Sequence, residues 1–172
     1  AGGLVVVGSH VALTTRQVEG LLAVHPDTRV LELDVQGVVE GRADEIVTSL
    51  VDQAVIWLAS GDVVIETSRR LVTLPDKQQS LQLSASISVV LSRVVAEICR
   101  ATTPRFVIAK GGITSSDVAE KGLGIGKAWV RGSMLPGLVS LWEAVDGIVP
   151  GLPYVVFAGN VGDEDSLAHV VS

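Results

Sequence analysis

The sequence predicts an α/β fold with three layers: a mainly parallel sheet, helices on both of its faces, and a partly antiparallel C-terminal portion. Short apolar runs typical of buried strands alternate with longer segments of helical periodicity along most of the chain. After Gly126 the pattern changes to short strands that are joined by glycine and proline turns. We find no internal repeat and no linker, so we expect a single domain spanning residues 1–172.

Each predicted element follows from a local pattern. Leu4–Val7 is a continuous apolar run, which favours a buried strand, and Thr14-x-x-Gln17 matches a capping box at the start of a helix. Ala43–Leu58 has apolar residues at i, i+3, i+4 and i+7, the strongest helical signal in the chain. In order, we expect strands at 4–7, 29–33, 62–66, 106–109, 128–131, 138–142 and 154–158, and helices at 14–23, 43–58, 87–99, 115–122 and from 163 onward.

Composition and charge exclude several classes of protein. The formal net charge is −6 and the Lys and Arg residues form no cluster, which argues against a nucleic-acid-binding surface. The single cysteine, Cys99, excludes an internal disulfide and fits a reducing, cytoplasmic compartment, and we expect it to be a buried thiol. We expect no membrane span and no signal peptide. Because the chain begins almost directly with a strand, we expect it to be part of a longer protein.

Three polar turns each follow a predicted parallel strand. They contain Ser9 after the first strand, the run 111–115 after the strand at 106–109, and the run 159–162 after the last strand. Open α/β sheets bind ligands where strand ends and helix N-termini converge. Glycines let the backbone approach a phosphate closely, and helix N-termini favour anions. Any one turn alone fits a helix cap, but three on one edge predict a phosphate-binding site.

Several other motifs favour a structural interpretation. The run 122–127 resembles a P-loop but is one residue short, and Ala128 replaces the residue that would bind magnesium, so we expect a turn. The glycines there do not match the dinucleotide fingerprint either. The acidic run 163–165 favours a helix N-cap over a metal site, and no set of side chains has metal-site spacing. Lys110 fits either a phosphate contact or an exposed lysine.

These motifs resemble a known family. The segments VVVGSHVALTTRQ, AKGGITSSDVAEKGLGI, LPG and GLPYVVFAGNVGDEDSL together are similar to the C-terminal nucleotide-binding domain of the four-carbon acid sugar kinases. The resemblance implies an ATP- and Mg²⁺-dependent kinase that acts on threonate, erythronate or a 3-oxo-tetronate. It also implies that a separate N-terminal domain contacts most of the acid sugar, so that this chain alone is inactive. The catalytic base is not assigned, and a homodimer is compatible with the family.

The resemblance also implies nucleotide-binding residues. At the matching positions these are Ser9, Gly111, Gly112, Ile113, Thr114, Ser115, Gly159, Asn160 and Gly162. The family commonly has Glu where this chain has Ile113, and often has Lys where this chain has Phe157-Ala158, which puts any charge role at those positions in doubt. A backbone cradle depends only on the glycines, which are present.

Two alternatives from other classes remain. The first is a non-catalytic α/β domain that binds a phosphorylated metabolite, for which the same three turns would suffice. The second is a dehydrogenase-type dinucleotide domain, which the missing fingerprint disfavours.

Overall fold

The computed structural model describes residues 1–68 and 77–172 and confirms the predicted fold class. The strands are β1 (Leu4–Val7), β2 (Arg29–Leu33), β3 (Val63–Thr67), β4 (Val107–Lys110), β5 (Ala128–Leu135), β6 (Val139–Ala144) and β7 (Pro153–Phe157). The helices are α1 (Ala12–Val24), α2 (Val35–Val39), α3 (Ala43–Leu58), α4 (Lys77–Ala101), α5 (Gly112–Asp117) and α6 (Ser166–Val171). A π-helical turn, Val118–Gly122, continues α5.

The strands form one sheet in the order β2-β3-β1-β4-β7-β6-β5. Neighbours from β2 to β7 pair in parallel, and β6 and β5 are added antiparallel after β7. The C-terminal part is therefore antiparallel, as predicted, but β7 itself is the fifth parallel strand. The carboxyl ends of β1, β4 and β7 lie side by side at one edge.

The two faces of the sheet have separate apolar cores because successive strand side chains point to opposite faces. On one face, Leu4, Val6 and Ala109 pack with buried residues of α3 and α4. On the other face, Val5, Val7 and Phe157 pack with α1 and α6. The helices thus cover both faces, which is the three-layer arrangement expected.

The apolar side of α4 belongs to the first of these cores. Val94, Val95 and Ile98 are buried, and Cys99 is a buried free thiol, as predicted. Burial raises the pKa of this thiol to about 12, so it is protonated at neutral pH. No membrane span is expected from the sequence, but by length and composition alone Gln78–Ala101 could cross a membrane. Core helices of water-soluble proteins have the same length and composition, and one side of α4 is buried in the first core.

Several predicted boundaries were wrong. α1 begins before Thr14, so Thr14 and Gln17 are not a capping box but buried residues inside the helix. The strand predicted at 106–109 is β4, which includes Lys110, and the helix predicted from 115 begins at Gly112. The short helix α2 was not predicted. The sequence predicts a polar segment at 67–80 before the helix at 87–99; residues 77–80 of it belong to α4, and 69–76 lie outside the described residues.

Candidate functional site

The three predicted turns meet around Ser9. This residue follows β1, and a β-carbon built on Gly159, after β7, would lie 3.0 Å from its Oγ. A β-carbon built on Gly111, after β4, would lie 3.5 Å from the Ser9 Cβ. A side chain at Gly159 would crowd the Ser9 hydroxyl, and the φ of +124° at Gly111 favours glycine, so both glycines help the three strand ends to converge. The predicted arrangement of these turns is therefore present.

Free N–H groups are concentrated at the start of α5. Gly111 has φ +124°, a backbone conformation that favours glycine, and it turns the chain from β4 into the helix. The N–H groups of Gly112, Ile113 and Thr114 form no hydrogen bond within the described ranges 1–68 and 77–172. The N–H of Ser115 is already bonded to the Gly111 carbonyl, at 2.8 Å. Three first-turn N–H groups are thus available to an anion.

The side chains of Thr114 and Ser115 in the 111–115 loop are buried in contacts within the protein. Ser115 is buried, and its Oγ lies 2.6 Å from the Gly111 carbonyl oxygen and 2.8 Å from that of Ala109. The side chain of Thr114 is buried against Gly8. The hydroxyl groups of Thr114 and Ser115 could have contacted a phosphate, but this geometry favours backbone donors in the 111–115 loop. By contrast, Ile113 is 67% exposed beside the free N–H groups.

The helix that starts at this loop is firmly attached. The Tyr154 hydroxyl on β7 donates to the Ser115 carbonyl at 2.6 Å. Ser88 of α4 donates to the Asp117 carboxylate at 2.5 Å, and Lys121 forms an ion pair with it at 2.8 Å. These bonds hold the pKa of Asp117 below its usual value, with the Lys121 contact contributing most. The free N–H groups are therefore presented by a rigid element.

The chain between β7 and α6, residues 158–165, is called here the β7–α6 turn. Three buried side chains donate to its carbonyl groups. Thr14 Oγ1 lies 3.2 Å from the Gly159 oxygen, and Gln17 Nε2 lies 2.9 Å from the Val161 oxygen and 2.7 Å from the Asp163 oxygen. Lys110 Nζ lies 2.9 Å from the Ala158 oxygen and 3.4 Å from that of Gly159. Sequence reasoning assigned neither Thr14 nor Gln17 to the site and left Lys110 open.

Lys110 is an unusual residue in this position. Its side chain is 0% exposed, and its Nζ lies 3.9 Å from the centroid of the Phe157 ring, on the neighbouring strand. Burial lowers the pKa of Lys110 to about 8, and within the described part of the chain no carboxylate forms an ion pair with its Nζ. Of the two interpretations left open from the sequence, an exposed lysine is wrong. The chain places a buried positive charge directly beneath the converging turns.

A cavity of about 390 Å³ opens beside the start of α5. Gly112, Ser116 and Glu120 line one side, and Ile125, Trp142 and Val156 form apolar walls. This volume and mixed lining are typical of small-molecule sites. A larger cavity, of about 470 Å³, lies between β2 and α3 and contains no residue of the three turns.

The near-P-loop is a turn, as interpreted from the sequence. The N–H groups of Gly126 and Lys127 donate to the Asp146 carboxylate at 2.7 and 3.0 Å, so they are not available to a phosphate. These bonds lower the pKa of Asp146.

The histidine beside the first turn, His10, is paired with Thr67 Oγ1 at 3.0 Å.

The described residues contain no cluster of three or more His, Cys, Asp or Glu side chains that could hold a metal ion. A magnesium ion bound with a nucleotide usually takes most of its ligands from phosphate oxygens and water. The free N–H groups of the site therefore suit an anionic group. A metal ion would be held here only together with that anionic group.

Comparison with known proteins identifies the family. The family model of the nucleotide-binding C-terminal domain matches residues 4–167. The chain belongs to this family. The resemblance derived from the motifs is thereby confirmed at the level of the C-terminal nucleotide-binding domain. No curated protein matches the chain significantly in sequence.

Solved structures share the fold at low sequence identity. A Bordetella bronchiseptica protein of unknown function (DUF1537), a domain-swapped dimer with bound citrate, is 22% identical, with a TM-score of 0.76 over 99% of this chain and 41% of its own. A Salmonella typhimurium LT2 protein described as a candidate tRNA synthase is 21% identical, with a TM-score of 0.73 over 98% and 40%. A Haemophilus influenzae DUF1537 protein is 20% identical, with a TM-score of 0.66 over 99% and 40%. The chain therefore spans about two fifths of these structures.

Proposed function

We propose that this chain is the ATP-binding part of a cytoplasmic kinase that phosphorylates a hydroxyl of a four-carbon acid sugar, such as threonate, erythronate or a 3-oxo-tetronate. The observation that carries the proposal is the set of free N–H groups at Gly112–Thr114, converging with the turns at Ser9 and Gly159. Membership of a nucleotide-binding family supports ATP as the anion. The acid-sugar specificity comes from the motif resemblance alone.

The geometry suggests which part of ATP would contact the turns and which part would occupy the cavity. The phosphates would lie over the free N–H groups of the 111–115 loop, with the 159–162 turn and Ser9 on the opposite side. The base and ribose would enter the cavity walled by Ile125, Trp142 and Val156, which opens at Gly112. Aromatic and aliphatic walls suit a base, and backbone donors suit phosphates.

In this proposal the residues of the chain bind and orient ATP and neutralise its charge. Phosphoryl transfer depends mainly on positioning and electrostatic stabilisation, which preorganised N–H groups provide at low cost. Local donors are essential because the net charge of −6 opposes anion binding. ATP itself supplies the transferred γ-phosphoryl group, and Mg²⁺ neutralises its oxygens. The remaining chain of the longer relatives would contribute the acid-sugar contacts and the catalytic base.

A kinase assay of residues 1–172 tests the division of labour. Because the domain that contacts the sugar is proposed to be separate, we expect MgATP binding but no acid-sugar phosphorylation above the ATP hydrolysis background. Coupled ADP release with threonate and erythronate, with a denatured sample as control, measures this. Robust turnover by this chain alone would contradict the two-domain proposal.

Analytical ultracentrifugation of the same sample tests the proposed homodimer, which the exposed outer strand β5 and the Bordetella bronchiseptica dimer support.

The alternative function, a non-catalytic domain that binds a phosphorylated metabolite, uses the same free N–H groups. The apolar cavity beside Gly112 favours a nucleotide over a small sugar phosphate. Tighter binding of a sugar phosphate than of ADP would reverse this preference.

A further inference from the structure

The carbonyl groups of the β7–α6 turn point toward the protein interior. The inward donors, defined here as Thr14, Gln17 and Lys110, together contact the carbonyl oxygens of four residues of the turn. These contacted residues are Ala158, Gly159, Val161 and Asp163. All three donors are buried, with exposed fractions of 1%, 0% and 0%.

Peptide geometry then fixes the direction of the N–H groups. In a planar trans peptide the C=O and the following N–H point in opposite directions, and the described residues contain no cis peptide. Where the carbonyls of Ala158 and Gly159 face inward, the N–H groups of Gly159 and Asn160 must face the opposite way, toward the open strand edge. The same reasoning applies to the peptide that joins Val161 to Gly162, where φ is +81°.

These outward N–H groups are free. Those of Gly159, Asn160 and Gly162 make no hydrogen bond within the part of the chain that the structure describes. Successive outward N–H groups form an anion-binding concavity. The three residues are the ones that the motif resemblance assigned to the nucleotide, and their free N–H groups give a physical reason for that assignment.

The arrangement of two inward donors, Gln17 and Lys110, lowers the stability of the folded protein. Gln17 Oε1 is buried without a hydrogen-bond partner among the described residues, which lowers the stability of the folded state. The opposite amide orientation would direct this oxygen at two carbonyl groups, so the hydrogen-bond network fixes the assignment. A buried ammonium without a carboxylate, at Lys110, is likewise costly. Features that lower stability in this way are concentrated at active sites and ligand-binding sites.

We propose that the inward donors are positioning residues, which orient the β7–α6 turn so that its N–H groups face a bound phosphate. This inference rests on the proposed nucleotide site and adds the residues that build one half of it. Lys110 has a second effect, because its charge lies beneath the same peptides and adds to their attraction for an anion. None of the three touches the phosphate itself.

Lys110 forms no ion pair with a carboxylate of the described residues; Glu66 of β3 lies at the same register of the sheet, with β1 between it and β4. Strands β1 and β7, on either side, contain no charged residue. The charged or titratable residues of α1, α6 and the β7–α6 turn are exposed: Arg16, Glu19, Asp163, Glu164, Asp165 and His169. Arg16 forms an ion pair with Glu164 at 2.6 Å. A bound phosphate would therefore interact with a charge that is not paired with any carboxylate of the described residues.

The test compares matched variants by calorimetry with MgADP. Thr14→Val removes one inward hydroxyl without changing volume and should weaken MgADP binding about five- to tenfold. Thr28→Val is the control, since Thr28 is also buried but precedes β2 at the other end of the sheet, and it should leave affinity unchanged. Equal affinities of the two variants would overturn the inference.

The charge of Lys110 provides a readout that a structural role would not change. Bound phosphate favours the ammonium form, so the pKa of Lys110 should rise in the complex. MgADP affinity should then be constant well below pH 8, where free Lys110 is fully protonated, and fall several-fold as the pH rises through about 8 and free Lys110 loses its proton. Lys110→Arg, which stays protonated, should abolish this fall. An unchanged pH profile in Lys110→Arg would contradict the charge effect.

Amide chemical shifts separate failure of this inference from failure of the proposed function. On addition of MgADP, or of tripolyphosphate alone, the amide signals of Gly159, Asn160 and Gly162 should shift and saturate. If MgADP binds and these signals do not move, the inference fails and nucleotide binding stands. If MgADP does not bind but tripolyphosphate moves them, the proposed function fails and the inference stands. If neither ligand moves them, both fail.

Discussion

Gly112→Val should lower the affinity for MgATP at least about tenfold while leaving the fold intact. A β-carbon built on Gly112 meets no atom within 4 Å, so the protein itself has room for a side chain there. That open space adjoins the free N–H group of Gly112 itself, at the start of α5, where we place the phosphates. A valine would prevent the close backbone approach that anion binding requires. Calorimetric titration with MgATP and a thermal melt of each protein measure the two effects.

Gly41→Asn is a suitable control for this variant. A β-carbon built on Gly41 also meets no atom within 4 Å, and the φ of +82° at this position is one that asparagine tolerates. Gly41 follows α2, away from the three turns, so the affinity of the variant for MgATP should equal that of the unmodified chain. If Gly112→Val binds MgATP as tightly as this control, the 111–115 loop is not part of the site.

Gly8→Ala should destabilise the fold by about 1–3 kcal/mol and weaken nucleotide binding as well. A β-carbon at Gly8 would overlap the hydroxyl of Thr114, so α5 must move away from β1 to make room. Because the free N–H groups belong to the first turn of α5, that movement would displace them. Chemical denaturation gives the change in the free energy of unfolding, and calorimetry gives the change in affinity.

A second substitution shows whether this contact is the cause. Thr114→Ala removes the overlapping hydroxyl, so Gly8→Ala/Thr114→Ala should be more stable than Gly8→Ala alone. A double-mutant cycle measures that coupling. Additive effects of the two substitutions would show that the contact between Gly8 and Thr114 does not determine the position of α5.

The sequence was sufficient for the fold because its strands and long helices carry strong local signals. The apolar run Leu4–Val7 and the stripe of Ala43–Leu58 correspond to β1 and α3 with unchanged bounds. α2, only five residues long, has too few turns to show a period. The start of α5 was missed because glycine is a poor helix former, although at the first helical position it costs little.

The site was only partly predictable, for a different reason. The convergence of the turns follows from the rule that parallel strands end at one edge, so Ser9, Gly111 and Gly159 could be brought together from the sequence. The roles of Thr14 and Gln17 could not. Their spacing is that of a capping box, and only the tertiary structure shows that they contact a turn more than 140 residues later. Lys110 was ambiguous because a one-residue shift of β4 decides whether it is buried.

The most direct test of the central claim is calorimetric titration of residues 1–172 with ATP in the presence of Mg²⁺. If the converging turns form a nucleotide site, ATP and ADP should each bind saturably to one site per chain, and more tightly than NAD or a sugar phosphate. Absence of binding by both ATP and ADP, for a sample whose thermal melt shows a folded domain, would contradict the account.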